Sequence, residues 1–148
     1  RAAAAGRSPH DVLVVASIIE RETSDHKYAP LVAEVIYNRL AQGMRLQSDA
    51  TVAYANNLEG KVTTTDEERG LNSPYNTYMV DGLPPTPISN PGKAAIDAAL
   101  APASGDYLYF VTVNLDTGET KFASDSAGHD QNVKEFQTWC QANSDHCK

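Results

Sequence analysis

The sequence predicts an α+β domain, a helical core around one buried helix with a small antiparallel β-sheet, and three stretches carry that prediction. Val12 to Ile19 is apolar except for Ser17 and follows Ser8-Pro9, a helix-start signature. Tyr107 to Val113 is β-branched and aromatic, Asp116-Thr117-Gly118 is a turn, and Glu119 to Ala123 returns, which reads as a hairpin. Between them, Asn56 to Gly92 is rich in Gly, Pro, Asn, Thr and Asp, too irregular for an all-helical fold. At 148 residues the chain is long enough for one domain with a proper core and too short for two.

In the first helix Ser8 is the N-cap, Pro9 the first helical residue and Asp11 the third, and the helix runs to about Thr23. At about 100° per residue, Leu13, Ala16 and Glu20 share one face, Val15, Ile18 and Glu22 lie nearly opposite, and Val12 and Ile19 fall between. A helix apolar almost all round is a buried helix. Ser24-Asp25-His26 breaks the pattern. Lys27 to Gln42 forms a second helix closed by Gly43, with Leu31, Val32, Val35, Ile36 and Leu40 as its stripe. Asn38 falls inside that stripe, whereas Arg39 projects as more exposed and available to an acid. Met44 to Asp49 alternates like a short strand or extended loop, after which Asp49 caps a helix through Ala55. A short helical turn is expected near Asp66 to Glu68. Pro84-Pro85-Thr86-Pro87 excludes a helix, and Asn90-Pro91 starts one that reaches about Ala101, with Ile96, Ala99 and Leu100 inward. After the hairpin, Ser124 to Asp130 reads as a polar loop containing His129, and Val133, Phe136 and Cys140 mark the inner face of a last helix.

Composition narrows the function. Twelve basic against 19 acidic residues give a net charge of −7 without a basic tract, which argues against nucleic acid and anionic membrane surfaces as partners. No apolar run approaches the roughly 20 residues of a membrane span. Cys140 and Cys147 read either as a local disulfide, suited to an oxidising compartment, or as two unrelated thiols. Glu20, Glu22, His26 and His129 have no metal-ligand spacing such as H-E-x-x-H, so neither a metal nor another cofactor is expected.

The stretch Ala16-Ser17-Ile18-Ile19-Glu20-Arg21-Glu22-Thr23 resembles the active-site helix of the endolytic murein transglycosylases, the MltG/YceG-like family. The same order continues through Val35 to Leu40, Gly43 to Asp49, Pro74 to Tyr78, Gly82 to Gly92, Tyr107 to Val111 and the segment around His129, over roughly residues 12 to 136. The resemblance implies that residues 1–148 are the YceG-like catalytic domain, excised from a longer protein with an N-terminal membrane anchor and a LysM-like subdomain. It implies an extracytoplasmic, membrane-anchored setting for the full-length protein and a soluble fragment here. Peptidoglycan glycan strands are the implied substrate, and peptidoglycan synthases the implied partners.

Under this resemblance Glu20 matches the catalytic glutamate. At the edge of the core, partial desolvation would favour its protonated form, as a general acid needs. The alternative is that Glu20 and Glu22 are ordinary polar residues at a helix end, and the roughly 200° between them argues against a carboxylate pair. For substrate binding the candidates are Asn38, Arg45, Gln47, Asp49, Tyr75, Asn76, Tyr78 and His129. Tyrosine rings stack on sugar faces, and amides and guanidinium groups donate to hydroxyls or a lactyl carboxylate. Each also has a structural reading. Asn38 in an apolar stripe would brace a loop or the first helix, Asp49 would cap, Arg45 and Gln47 would form a solvated edge, the tyrosines would plug the core, and His129 would cap a helix entrance.

A hydrolytic glycosidase usually needs a second carboxylate, and none stands out in the sequence. That suits a lytic transglycosylase, in which one glutamic acid protonates the leaving oxygen and the sugar's own 6-hydroxyl captures the anomeric carbon. The resemblance implies cleavage of the MurNAc-β-1,4-GlcNAc bond in nascent strands, with 1,6-anhydroMurNAc ends as products. The competing readings are a muramidase acting on the same bond, a noncatalytic peptidoglycan-binding module, and a scaffold for the synthases.

Overall fold

The computed structural model describes residues 8–23, 26–56 and 66–143. In order these form α1 (Pro9–Glu22), a 3₁₀ turn (His26–Tyr28), α2 (Ala29–Ala41), α3 (Asp49–Ala55), α4 (Asp66–Arg69), α5 (Lys93–Leu100), β1 (Tyr109–Thr112), β2 (Thr120–Ala123) and α6 (Ser126–Ala142). The α+β prediction holds. The helices α1, α2 and α5 pack on one another, and α6 lies against a two-stranded antiparallel sheet.

Helix α1 begins where the sequence places it, with Ser8 Oγ accepting from the Asp11 N–H at 3.1 Å. Val14, Val15, Ala16, Ile18 and Ile19 are all at most 1% exposed, and only Leu13 among its apolar residues faces solvent. Each buried Val or Ile side chain contributes about 1.5–3 kcal/mol of transfer free energy, which makes α1 the centre of the core. Ser17 serves that centre. Its Oγ donates to Val14 O at 2.7 Å and accepts from Ile88 N at 3.0 Å, while Ser17 O accepts from Ser89 Oγ at 3.0 Å. The one hydroxyl in the apolar run thus pins the proline-rich loop to the buried helix.

Helix α2 ends as predicted, with Gly43 at φ +70°, a conformation costly for any residue with a Cβ. Tyr37 donates from its hydroxyl to Ala99 O at 2.8 Å and ties α2 to the end of α5. Arg39 corrects the helical projection: it is 7% exposed, and its partners are main-chain carbonyls rather than an acid. Residues 44–48 form an extended loop and not a strand. It is held by Gln47 N to Thr77 O (3.1 Å) and Ser48 N to Thr77 Oγ1 (2.8 Å). Ser48 occupies the N-cap of α3, so Asp49 is its first helical residue and not its cap. Helix α5 buries Ala95, Ala98 and Ala99, while Ile96 and Leu100 pack half-buried against the same cluster.

The hairpin pairs Tyr109 with Ala123, Phe110 with Phe122, Val111 with Lys121 and Thr112 with Thr120. Asn114 Oδ1 accepts from the N–H groups of Asp116 and Thr117, and Gly118 at φ +77° completes the turn. The expected loop at 124–130 is shorter than predicted. Asp125 caps α6 by accepting from Gly128 N at 2.8 Å, and this starts the helix at Ser126 and places His129 in its first turn. Cys140 is disulfide-bonded, and Cys147 lies outside the described residues. Among the described residues no helix is long and apolar enough to cross a membrane.

Candidate active site

The last turn of α1 and the first turn of α3 meet at Glu22. Ser48 Oγ donates to Glu22 Oε1 at 3.2 Å, and the main-chain N–H of Ala50 adds a second bond. A cavity of about 280 Å³ opens beside this carboxyl. Its polar lining falls into two clusters. In the first, Tyr78 donates from its hydroxyl to Asp49 Oδ1 at 2.8 Å, close to Glu22. In the second, the Arg39 guanidinium lies 4.9 Å from the centroid of the Tyr109 ring, and His129 stacks on that ring, also at 4.9 Å. Ile18, Val35, Ile36 and Leu46 supply apolar floor from α1, α2 and the loop before α3.

Electrostatics distinguish these groups. Burial, and then the neighbouring Asp49 carboxylate, push the Glu22 carboxyl up to about 7, and the bonds from Ser48 and Ala50 only partly oppose this. Burial and then Asp49 also raise the Tyr78 phenol, so it stays a hydrogen-bond donor. Burial lowers the Arg39 guanidinium from its ordinary value. His129 is lowered by burial and then by Arg39, against an opposing pull from Asp130. A carboxyl that keeps its proton near neutrality beside one that accepts a phenolic hydrogen bond is an arrangement suited to acid catalysis.

Four of the predicted site residues, Gln47, Asp49, Tyr78 and His129, line this cavity. Glu20 does not. It is half-buried, and its Oε1 accepts from Gly92 N at 2.8 Å, at the N-cap of α5. The two glutamates therefore leave α1 in different directions, as their angular separation implies. Asn38 donates to Gly105 O (3.0 Å) and Tyr107 O (2.9 Å) and braces the approach to β1. Arg45 pairs with Asp81 at 3.1 Å and donates to Tyr78 O, which steadies the Tyr78 loop from its exposed side. Tyr75 packs on Tyr54 at 5.0 Å, and its hydroxyl meets Thr86 Oγ1 at 2.7 Å.

Asn76 is fully buried. It donates to Arg69 O (2.7 Å) and Leu71 O (2.8 Å) and accepts from Tyr78 N (3.0 Å), so it builds the loop that presents Tyr78. Asn76→Asp would turn a carboxylate toward two carbonyls. We expect it to cost about 2–4 kcal/mol in urea unfolding, as an unmade buried hydrogen bond and a misplaced charge together require. A cost within the scatter of surface variants would show that this amide does not organise the loop.

Glu22, Ser48, Arg39 and Tyr109 were not predicted as site residues. Glu22 carried one available signal, its place on the same buried face as Ile18. Asp49 supplies the second carboxylate that spacing along the chain could not reveal, since a loop and a change of helix bring it to Glu22.

A carboxyl whose folded pKa lies above its ordinary 4.5 binds its proton more tightly in the folded state. Its contribution to stability is fully present below 4.5 and is lost as pH rises through about 7. Over that window the unfolding free energy of the domain is expected to fall more steeply than that of Glu22→Gln. Urea titrations at half-unit pH steps measure the difference, and parallel curves would remove the raised carboxyl from the account.

The sequence profile of the YceG-like family matches residues 1–135. The chain is 39% identical over 130 residues to an endolytic murein transglycosylase of Bacillus subtilis, an alignment covering 87% of this chain and 35% of that protein. It is 34% identical over 130 residues to an endolytic murein transglycosylase of Streptococcus pneumoniae, covering 85% of this chain and 23% of that protein. The chain thus spans about a third or less of the length of these relatives. A crystal structure of a protein described as YceG-like, from Listeria monocytogenes, superposes with a TM-score of 0.77 at 46% identity, over 82% of this chain and 39% of that one. With the family profile matching residues 1–135 and a fold that superposes on a YceG-like structure over 82% of the chain, the chain belongs to the YceG-like family.

Proposed function

We propose that this domain is the catalytic part of an endolytic murein transglycosylase and that Glu22, not Glu20, is its general acid. The observation that carries the reading is a carboxyl raised to about 7 at the wall of a cavity that also holds Asp49, Tyr78 and His129. Glu22 donates its proton to the glycosidic oxygen between MurNAc and GlcNAc, and the C1–O bond breaks with its electron pair leaving on that oxygen. Asp49, fixed by the Tyr78 hydroxyl, stabilises the positive charge that develops at C1. The 6-hydroxyl oxygen of the same sugar then attacks C1, and the Glu22 carboxylate takes the released proton, which restores the acid and leaves a 1,6-anhydro end.

Hydrolysis is the second reading, and the nearby Asp49 favours it, because a second carboxylate could activate water. Its engagement with Tyr78 argues for the charge-stabilising role instead. Mass spectrometry of purified glycan strands after incubation with the domain separates the two. Anhydro ends support the transglycosylase, and reducing ends in their place mean a muramidase. No cleavage by a folded domain that still binds strands means a binding module. Membrane anchoring of the full-length protein, association with peptidoglycan synthases and termination of nascent strands rest on the family resemblance, and belong to the same proposal.

A further inference from the structure

Among the described residues His129 Nδ1 is the one buried side-chain nitrogen or oxygen without a hydrogen-bond partner. An imidazolium there would bury an N–H with no acceptor, so the ring is held neutral, in keeping with its lowered pKa beside Arg39. A neutral ring carries one proton. An orphaned buried N–H is rarer than an orphaned acceptor, which places the proton on Nε2 and leaves the Nδ1 lone pair buried. To act as a base at Nε2 the neutral ring would have to carry its proton on Nδ1 and so bury an N–H with no acceptor, which suits this histidine to donate a hydrogen bond from Nε2 and not to relay protons. Stacking on Tyr109 fixes the plane of the ring.

The cavity that His129 lines also has an aliphatic side. Val133 lies one turn further along α6, and Val111 and Phe110 of β1 line the same cavity. One N–H donor in a cavity that also has a small aliphatic wall is complementary to a group that combines a carbonyl oxygen with a methyl. A bare hydroxyl would leave the wall unused, and a carboxylate would meet Asp49 in the same cavity, where the Arg39 Nε and Nη1 groups are already committed to main-chain carbonyls. We propose that His129, with Val133 and Val111, forms a subsite for a sugar acetamido group, with Nε2–H donating to its carbonyl oxygen, so that the enzyme selects N-acetylated over N-deacetylated glycan. The proposal rests on the murein transglycosylase reading for its substrate, and it adds a specificity that the reading does not contain.

The test compares binding by titration calorimetry of N-acetylated and chemically N-deacetylated glycan strands to the wild-type domain, His129→Phe and His129→Gln, with thermal melts to confirm folding. Wild type is expected to prefer the acetylated strands by about ten- to a hundredfold, the range for one hydrogen bond and one methyl pocket. His129→Phe keeps the ring and removes the donor, and should erase most of that preference. His129→Gln, which restores an N–H, should recover part of it. The ammonium groups of deacetylated strands are attracted to the acidic domain, but equally in all three proteins, so the change in ratio reports the subsite. An unchanged ratio in folded His129→Phe overturns the subsite, and if anhydro ends still form, the transglycosylase reading survives that result. Absence of binding by either strand overturns both.

Discussion

Glu22→Gln is expected to reduce formation of anhydro ends by about 10²–10⁴-fold, the usual range for loss of a positioned general acid, while Glu20→Gln retains activity within about tenfold of wild type. The physical basis is the different company the two carboxyls keep. Glutamine at 22 preserves size and can still accept from Ser48 Oγ, but it has no proton to give to a leaving oxygen. Glutamine at 20 still offers an oxygen to Gly92 N, so it weakens a helix cap and costs about 1 kcal/mol of stability without touching the cavity wall. Anhydro ends counted by mass spectrometry, beside thermal melts of each variant, decide between them. An inactive, folded Glu20→Gln with an active Glu22→Gln would return the acid role to Glu20 and would require the substrate to bind against α5 instead.

The same pair of residues shows where sequence reading is strong and where it stops. The capping signature at Ser8, the buried character of α1, the glycine closing α2 and the hairpin were legible because each is decided within a few residues by propensity and hydrogen bonding. The direction in which a carboxyl leaves the end of α1 is decided by what packs there. Gly92 from one loop and Ser48 from another take one glutamate each, and their arrival depends on contacts distant in sequence. Asp49 illustrates a smaller shift. Ser48 occupies the N-cap position one residue earlier without a side-chain capping bond, and Asp49, as the first helical residue, accepts from Tyr78. Asn76 and Tyr75 sat in a loop whose composition suggested recognition, yet Asn76 is consumed in building the loop itself, because a long irregular segment must satisfy its own main chain. His129 was expected in a loop, and capping by Asp125 instead fixes it on a helix, which gives its ring a defined plane.

Arg39 is the residue whose removal is expected to cost the fold most for its apparent modesty in the sequence. A helical projection leaves it at the edge of a stripe, where losing a surface arginine would cost a few tenths of a kcal/mol. In the structure its Nε donates to Leu108 O at 2.6 Å, and its Nη1 donates to Arg45 O at 2.8 Å and Leu46 O at 3.2 Å. Three carbonyls from two separate segments thus converge on one guanidinium, which joins α2 to the loop before α3 and to the approach of β1. Arg39→Ala strands those carbonyls and removes the cation from the face of Tyr109. The expected loss is about 3–5 kcal/mol in urea unfolding, a large share of the total stability of a domain this size. Arg39→Lys keeps the charge but not the planar fork. An ammonium on a single stem cannot serve carbonyls on both segments in the same directions, so it should recover less than half of the loss. Because Tyr109 and His129 form the cavity wall beside this arginine, the lysine variant, where folded, should also bind glycan strands more weakly, with the Glu22 pH dependence unchanged. A full recovery by lysine would mean that charge alone holds the two segments together. The partial recovery expected here makes the guanidinium geometry the link between the helical core and the hairpin, and hence between the two clusters that line the cavity.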